Sequence, residues 1–281
     1  MSSSNAIPPR KRRRWGRVLL LFFLAGIGIF GWREFTWRRA IGQLNEAGIR
    51  PTAAAREGVW TRVRQALHSN WRLLFDADTW EARKLMLEMD SAKAGQLSNL
   101  NSLASALRRV KPWKLDLSGC SSLRNIDGLR SLTSLDWLVL SGCSVLQNLD
   151  ALTEHTTLTT LDLSDCVALQ NVNGLKGVAS LEWLCLSNCP QLRNVGGIKG
   201  LNELKKLTIT ESPFLENLDD LKGLASLKSL FLTDCTALRN VDGIKGLASL
   251  VNVYLEGCTK LTPQDVGSLK ASLPHVNIDE P

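Results

Sequence analysis

Thiols, hydroxyls and amides recur along this chain at one fixed spacing, and each row could do chemistry. Cys120, Cys143, Cys166, Cys189, Cys235 and Cys258 fall in a single column with a step of 23 residues, Ser212 filling the one remaining place. Such a row suggests a metal array or a set of disulfides. Zinc sites need closely spaced cysteine pairs or accompanying histidines, whereas His68, His155 and His275 are not clustered with the column. Side chains held parallel in successive coils also suit a disulfide poorly. The column therefore reads as packing, each thiol a small hydrophobe. Two residues earlier runs a row of hydroxyls, Ser118, Ser141, Ser164, Ser187, Thr210 and Thr233. No histidine or lysine base accompanies it, so it reads as a strand-ending turn rather than a series of nucleophiles. Asn125, Asn148, Asn171, Asn194, Asn217 and Asn240 recur too regularly for catalysis and should satisfy turn backbone groups inside the coil. Asp76, Asp78 and Glu81 serve helix capping better than acid–base work. No catalytic residue, metal ligand or cofactor is expected.

The apolar residues keep the same step. Around Cys143 they are Leu138, Leu140, Leu146, Leu149 and Leu152; around Cys235 they are Leu230, Leu232, Leu238, Val241 and Ile244. A strict period in this range means a solenoid whose coils bury their apolar edges by stacking on each other. The L-x-L stretch of each unit, such as Leu115 and Leu117 or Leu184 and Leu186, alternates like a short strand. One strand per coil gives a parallel sheet. A single coil offers about seven aliphatic positions at roughly 1.5–3 kcal/mol each, less than the cost of ordering its backbone. Only the stacked array can fold.

These residues carry a family resemblance. Leu135-x-x-Leu138-x-Leu140-x-x-Cys143-x-x-Leu146 resembles the signature of leucine-rich repeat proteins. Asn240-Val241-Asp242-Gly243-Ile244, followed by Leu247 and Leu250, is similar to the internalin-type bacterial repeat. Leu117 to Leu123 is similar to repeats of plant disease-resistance proteins. The resemblance covers roughly 97–278 and implies an α/β leucine-rich repeat solenoid, a horseshoe with a parallel β-sheet on its concave face and short helical or 3₁₀ segments behind. It also implies that the cysteine column points inward, its thiols donating to neighbouring carbonyls. Its functional implication is binding, with the partner free to vary. Ser212 in the cysteine column and Pro263 in the asparagine column depart from the pattern, the second marking a terminal cap.

If the L-x-L residues point inward, their neighbours line the concave face. One flanking column reads Lys114, Trp137, Thr160, Trp183, Lys206, Ser229, Asn252, and the other Asp116, Val139, Asp162, Cys185, Thr208, Phe231, Tyr254. Both vary where the inward column does not. Strands about 4.8 Å apart give a face roughly 30 Å long, enough for a protein partner. Trp137, Trp183, Phe231 and Tyr254 are the expected anchors. Asp162, Asp165, Glu211, Asp234 and Glu256 should make the face acidic and favour a basic or amphipathic partner. Cys185, off the column, should face outward as a reactive thiol.

The net charge of +7 is unevenly placed. Residues 1–17 carry six basic residues and no acid; 18–112 carry fourteen basic and eight acidic; 113–281 carry fourteen basic and nineteen acidic. Nucleic-acid binding needs a basic stripe, which an acidic repeat domain should lack. The organisation expected is a basic cytoplasmic tail (1–17), a transmembrane signal anchor (18–32), a helical juxtamembrane or cap region (33–96) and the repeats (97–278). Val18 to Trp32 would reach only about 22 Å as a helix, but Arg17 and Arg33 can snorkel and Trp15, Trp32 and Trp37 can anchor at the interface. Six basic residues before the run against Arg33, Arg38 and Arg39 after it place the N-terminus in the cytoplasm and the repeats across the membrane, periplasmic or extracellular.

Residues 33–112 read as helical. Trp37, Ile41 and Leu44 share one face of a helix closed by Gly48 and Pro51; Trp60, Val63, Leu67, Trp71 and Leu74 form an amphipathic stripe; Asp78 to Glu81 matches a capping box for a helix that Gly95 can stop. These helices either lie on the membrane or cap the first coil, and Leu97, Leu100 and Leu103 suggest a degenerate coil with Leu97 in the cysteine column. The expected function is non-enzymatic binding of a protein or peptide by a membrane-anchored repeat protein. A secreted effector with a cleaved signal peptide and a structural envelope or spacer protein are the alternatives.

Overall fold

A computed structural model describes the chain at residue 36 and over 38–51, 86–89 and 91–281. One ten-stranded sheet runs through it in strict sequence order. Its strands are β1 (Ile49–Pro51), β2 (Met86–Met89), β3 (Lys114–Asp116), β4 (Trp137–Val139), β5 (Thr160–Asp162), β6 (Trp183–Cys185), β7 (Lys206–Thr208), β8 (Ser229–Phe231), β9 (Asn252–Tyr254) and β10 (Asn277–Asp279). From β2 onward every pair is parallel, while β1 meets β2 antiparallel. Between β3 and β9 the register advances 23 residues per strand, so Leu115, Leu138, Leu161, Leu184, Leu207 and Leu230 stack at the strand centres, all fully buried. Each coil returns through a 3₁₀ turn, from Asp127–Leu129 to Asp242–Ile244.

The end of each strand is forced round by a left-handed residue just before the cysteine column. All seven places have positive φ: Gly119, Gly142 and Gly257 at 73–74°, Asp165 at 59°, Asn188 at 52°, Glu211 at 54° and Asp234 at 60°. Glycine, asparagine and aspartate tolerate this region; glutamate does so at a cost. Within the coil the column thiols do what the family resemblance implies. Five of the six donate to a carbonyl one coil back: Cys143 to Leu117, Cys166 to Leu140, Cys189 to Leu163, Cys235 to Ile209 and Cys258 to Leu232.

The array is closed at its C-terminal end by the helix Pro263–Ser272, whose Thr262 and Asp265 form a reciprocal capping box, and by β10 beyond it. Pro263 thus marks the cap. At the N-terminal end two expectations change. A helix over 38–46 does stop at Gly48 (φ 89°), with Leu44 buried, but the region is not wholly helical: β1 and β2 add themselves to the sheet. Because Met86–Met89 is a strand, no single helix runs from the Asp78 capping box to Gly95. The degenerate coil exists in a different register. Leu87 pairs with Leu115, the Arg124 amide bonds the Ser98 carbonyl, and the 3₁₀ turn Asn101–Leu103 answers Asp127–Leu129, a step of 26 to 28 residues. Leu97 therefore matches Leu123, and Ala94 takes the place of the cysteine. The run 18–32, the 60–74 stripe and the 78–81 box lie outside the described residues.

Candidate concave binding face

The three-residue strands hold one side chain inward and two on the concave face, and what those faces carry follows from the flanking columns. Lys114, Trp137, Thr160, Trp183, Lys206, Ser229 and Asn252 line one edge of the strands; Asp116, Val139, Asp162, Cys185, Thr208, Phe231 and Tyr254 line the other. All four expected aromatic anchors lie here and are half-buried. They are not equally free. The Lys114 ammonium sits 4.2 Å from the Trp137 ring centroid and that of Lys206 5.0 Å from Phe231. Phe231 and Tyr254 stack face to face at 4.6 Å, tilted by 8°. The Trp137 indole N–H is sheltered and meets no acceptor. Lys114 and Lys206 were not singled out from the sequence, although Lys114 stands one coil before Trp137 in its own column.

The acids divide into two groups. Asp162 is on the strand but occupied: its Oδ1 accepts from the Ser164 amide at 3.0 Å and hydroxyl at 2.6 Å, closing the turn, as Asp116 does for Ser118. Asp165, Glu211, Asp234 and Glu256 are exposed, but on the turn beyond the strands rather than on the sheet. They form an acidic lip along one rim of the face. Asp165 also accepts from Asn188 Nδ2 at 2.7 Å across adjacent coils.

Cys185 faces the concave side yet is 8% exposed, contrary to the accessible thiol expected. It is enclosed by the Ser164 Oγ at 3.1 Å and the Ser187 Oγ at 3.3 Å, hydroxyls from the turns of its own and the preceding coil. The column thiols are more protected still. Burial pushes those of Cys120, Cys143, Cys189 and Cys235 up to about 12 and that of Cys258 to about 11, so the column holds thiols rather than thiolates at neutral pH. Among the described residues no group of three or more His, Cys, Asp or Glu is placed to hold a metal ion.

The asparagine column keeps the turn role but not the place expected. Asn171 and Asn240 accept from the amides of Asn173 at 3.1 Å and Asp242 at 2.6 Å, and Asn194 and Asn217 act alike, working from the outer surface rather than inside the coil. Behind the 3₁₀ turns a short basic row also appears that the net charge concealed: Arg130, Lys176, Lys199, Lys222 and Lys245 occupy equivalent places, with Arg130 and Lys245 paired to Asp127 and Asp242. It is interleaved with acids.

One residue in the packing behind the face is out of type. Where other coils place Leu132, Val178, Leu201, Leu224 and Leu247, the coil of β4 places His155, fully buried. Neither ring nitrogen has a hydrogen-bond partner; the carbonyls of Leu129 and Leu152 approach without reaching bonding geometry. Burial holds its pKa below the ordinary histidine value.

Comparison with solved structures places this geometry. Internalin C2 of Listeria monocytogenes superposes with a TM-score of 0.52 at 21% identity, over 69% of this chain and 84% of that one. The protein has the leucine-rich repeat fold. The leucine-rich repeat domain of the type III effector XopL gives a TM-score of 0.51 at 20% identity, over 100% of this chain and 98% of that one. Comparisons with protein-family models and with curated proteins found no match. At these identities the likeness is one of leucine-rich repeat architecture alone. Among the described residues no helix is long and apolar enough to cross a membrane.

Proposed function

We propose that this leucine-rich repeat protein acts by binding rather than catalysis, and captures a protein or peptide on its concave face while held to a membrane by residues 18–32. The observation that carries the binding reading is the contrast within each strand: a buried aliphatic centre, leucine in six coils and Val253 in the seventh, between flanks that vary and that gather Trp183, Phe231 and Tyr254 on one surface. Aromatic side chains on a rigid sheet lose little entropy on contact and dominate binding hot spots. The acidic lip favours a basic or amphipathic partner over nucleic acid. Membrane attachment is supported by the apolar run and its arginine and tryptophan flanks, and the charge bias across it puts the repeats on the non-cytoplasmic side.

Two measurements test the two halves. Replacing Trp183, Phe231 and Tyr254 together by alanine should abolish partner capture while leaving the folded state intact by circular dichroism; capture that persists ends the concave-face reading. For topology the buried Cys185 is unsuitable, so a Lys222→Cys variant supplies an exposed thiol. Its labelling by a membrane-impermeant maleimide on intact cells supports the orientation, and labelling only after permeabilisation reverses it.

A further inference from the structure

The columns that hold adjacent coils together are broken twice at one seam. Where the 3₁₀ turns stack, five of the six places are glycine or alanine and the coils nearly touch at the glycines: a Cβ on Gly197 would stand 1.8 Å from the Val172 carbonyl oxygen, and one on Gly243 1.9 Å from that of Leu218. Between these two coils, the coil of β7 puts Asp220 in the same place. The coil of β4 accommodates the methyl of Ala151 in this column, but a carboxylate cannot coexist with the approach made at Gly197 and Gly243. The Asp220 carboxylate instead lies over Gly196, 3.6 Å from where a Cβ would be.

The same coil carries the one interruption of the thiol ladder. Ser212 donates to Thr210 of its own coil at 3.4 Å and not to Leu186 of the coil before. Away from the sheet the seam is crossed by the buried core, to which Ile198 and Leu221 belong, and at the surface by the Arg193 guanidinium, 5.1 Å from the Phe214 ring centroid. On the concave side nothing is lost: β6 and β7 keep full register, and Leu186 and Asn188 bond Thr208 and Thr210 at 2.8 and 3.0 Å.

We infer that the seam between the coils of β6 and β7 is a hinge, with the sheet as its axis and the convex side as the edge that opens. Opening there divides the array into a block carrying Trp137 and Trp183 and a block carrying Phe231 and Tyr254, and tightens the curvature of the face between them. Repeat arrays are held coil to coil by nearest-neighbour interfaces, so one weak interface localises the motion. The inference rests on the fold alone and stands whether or not the concave face captures a partner.

Hydrogen exchange of the full-length chain, resolved by mass spectrometry, tests it. Loss of the thiol bond and of the close turn approach at one interface should make amides over 212–221 exchange about tenfold faster than their counterparts over 189–198 and 235–244. The repaired variant Ser212→Cys/Asp220→Gly should bring them to their neighbours' rate. Transplanting the defect as Cys235→Ser/Gly243→Asp should create a second fast segment one coil later. Equal exchange of the three segments in the wild-type chain, or a fast segment that survives the repair, overturns the hinge.

Discussion

The strand centres and the strand flanks are separated by one peptide unit and obey opposite rules. Leu184 and Trp183 show the difference: the first is enclosed by Leu161 and Leu207 on either side and reads leucine in coil after coil, the second stands on the concave surface between Thr160 and Lys206 and shares its residue type with neither. A centre position is filled from both neighbouring coils, so its size and polarity are dictated by packing density. A flank meets only a row of side chains and whatever approaches from outside. The uniform column therefore reports the fold, and the variable one reports what the fold is for.

That contrast can be broken most severely at its centre. Leu184→Ala should cost about 2–5 kcal/mol of stability, read as a lowered urea midpoint, because the surrounding coils cannot collapse into the hole. Trp183→Ala should cost at most about 1 kcal/mol in the same assay while weakening capture. Equal losses would mean the two positions are not different in kind. Next in size is the close approach behind the sheet. Gly197→Ala drives a methyl into the Val172 carbonyl and should destabilise by about 1–3 kcal/mol, whereas Gly246→Ala, with open space around it, should change stability by less than about 0.5 kcal/mol.

A smaller effect concerns His155, the polar intruder in a leucine and valine column. Its folded pKa lies below the unfolded value, so the unfolded state takes up the proton first as acid is added. Its neutral form is accommodated above about pH 6.5, and stability is lost as the pH falls from there through the folded pKa. His155→Leu should flatten the acid limb of a pH–melting-temperature profile; an unchanged limb would mean that the ring does not titrate against burial. Smallest is the turn. Glu211→Gly relieves a left-handed glutamate and should raise stability by no more than about 1 kcal/mol, since glycine also loosens the unfolded chain. The same change at a residue of ordinary φ should lower it.

The repeats were largely legible because each coil is a template for the next. A step of 23 residues fixes the strand register, the inward leucines and the direction of the thiols at once. Legibility fails where the template does. Before Cys120 the step lengthens to 26 and then 28 residues, so Met86–Met89 carries no 23-residue signal and its sequence reads as part of a helix. Alternation identifies the residues that flank the strand centres but not their surroundings. Alternation says which side Cys185 faces but not that two serine hydroxyls from the turns enclose it. Nor does alternation say that lysines one coil earlier lie over Trp137 and Phe231. One missed signal was present: the column before the cysteines reads Gly, Gly, Asp, Asn, Glu, Asp, Gly, a composition that marks the left-handed conformation and moves three of the expected acids off the sheet onto its rim.

The most direct test places a photocrosslinking residue at Trp183 or Tyr254, and separately at Lys222 on the convex side, and irradiates intact cells producing the full-length chain. Adducts of one common mass from the two concave positions, absent from position 222, are the predicted result. Adducts from position 222 alone, or in equal yield from both sides, would contradict a concave binding face.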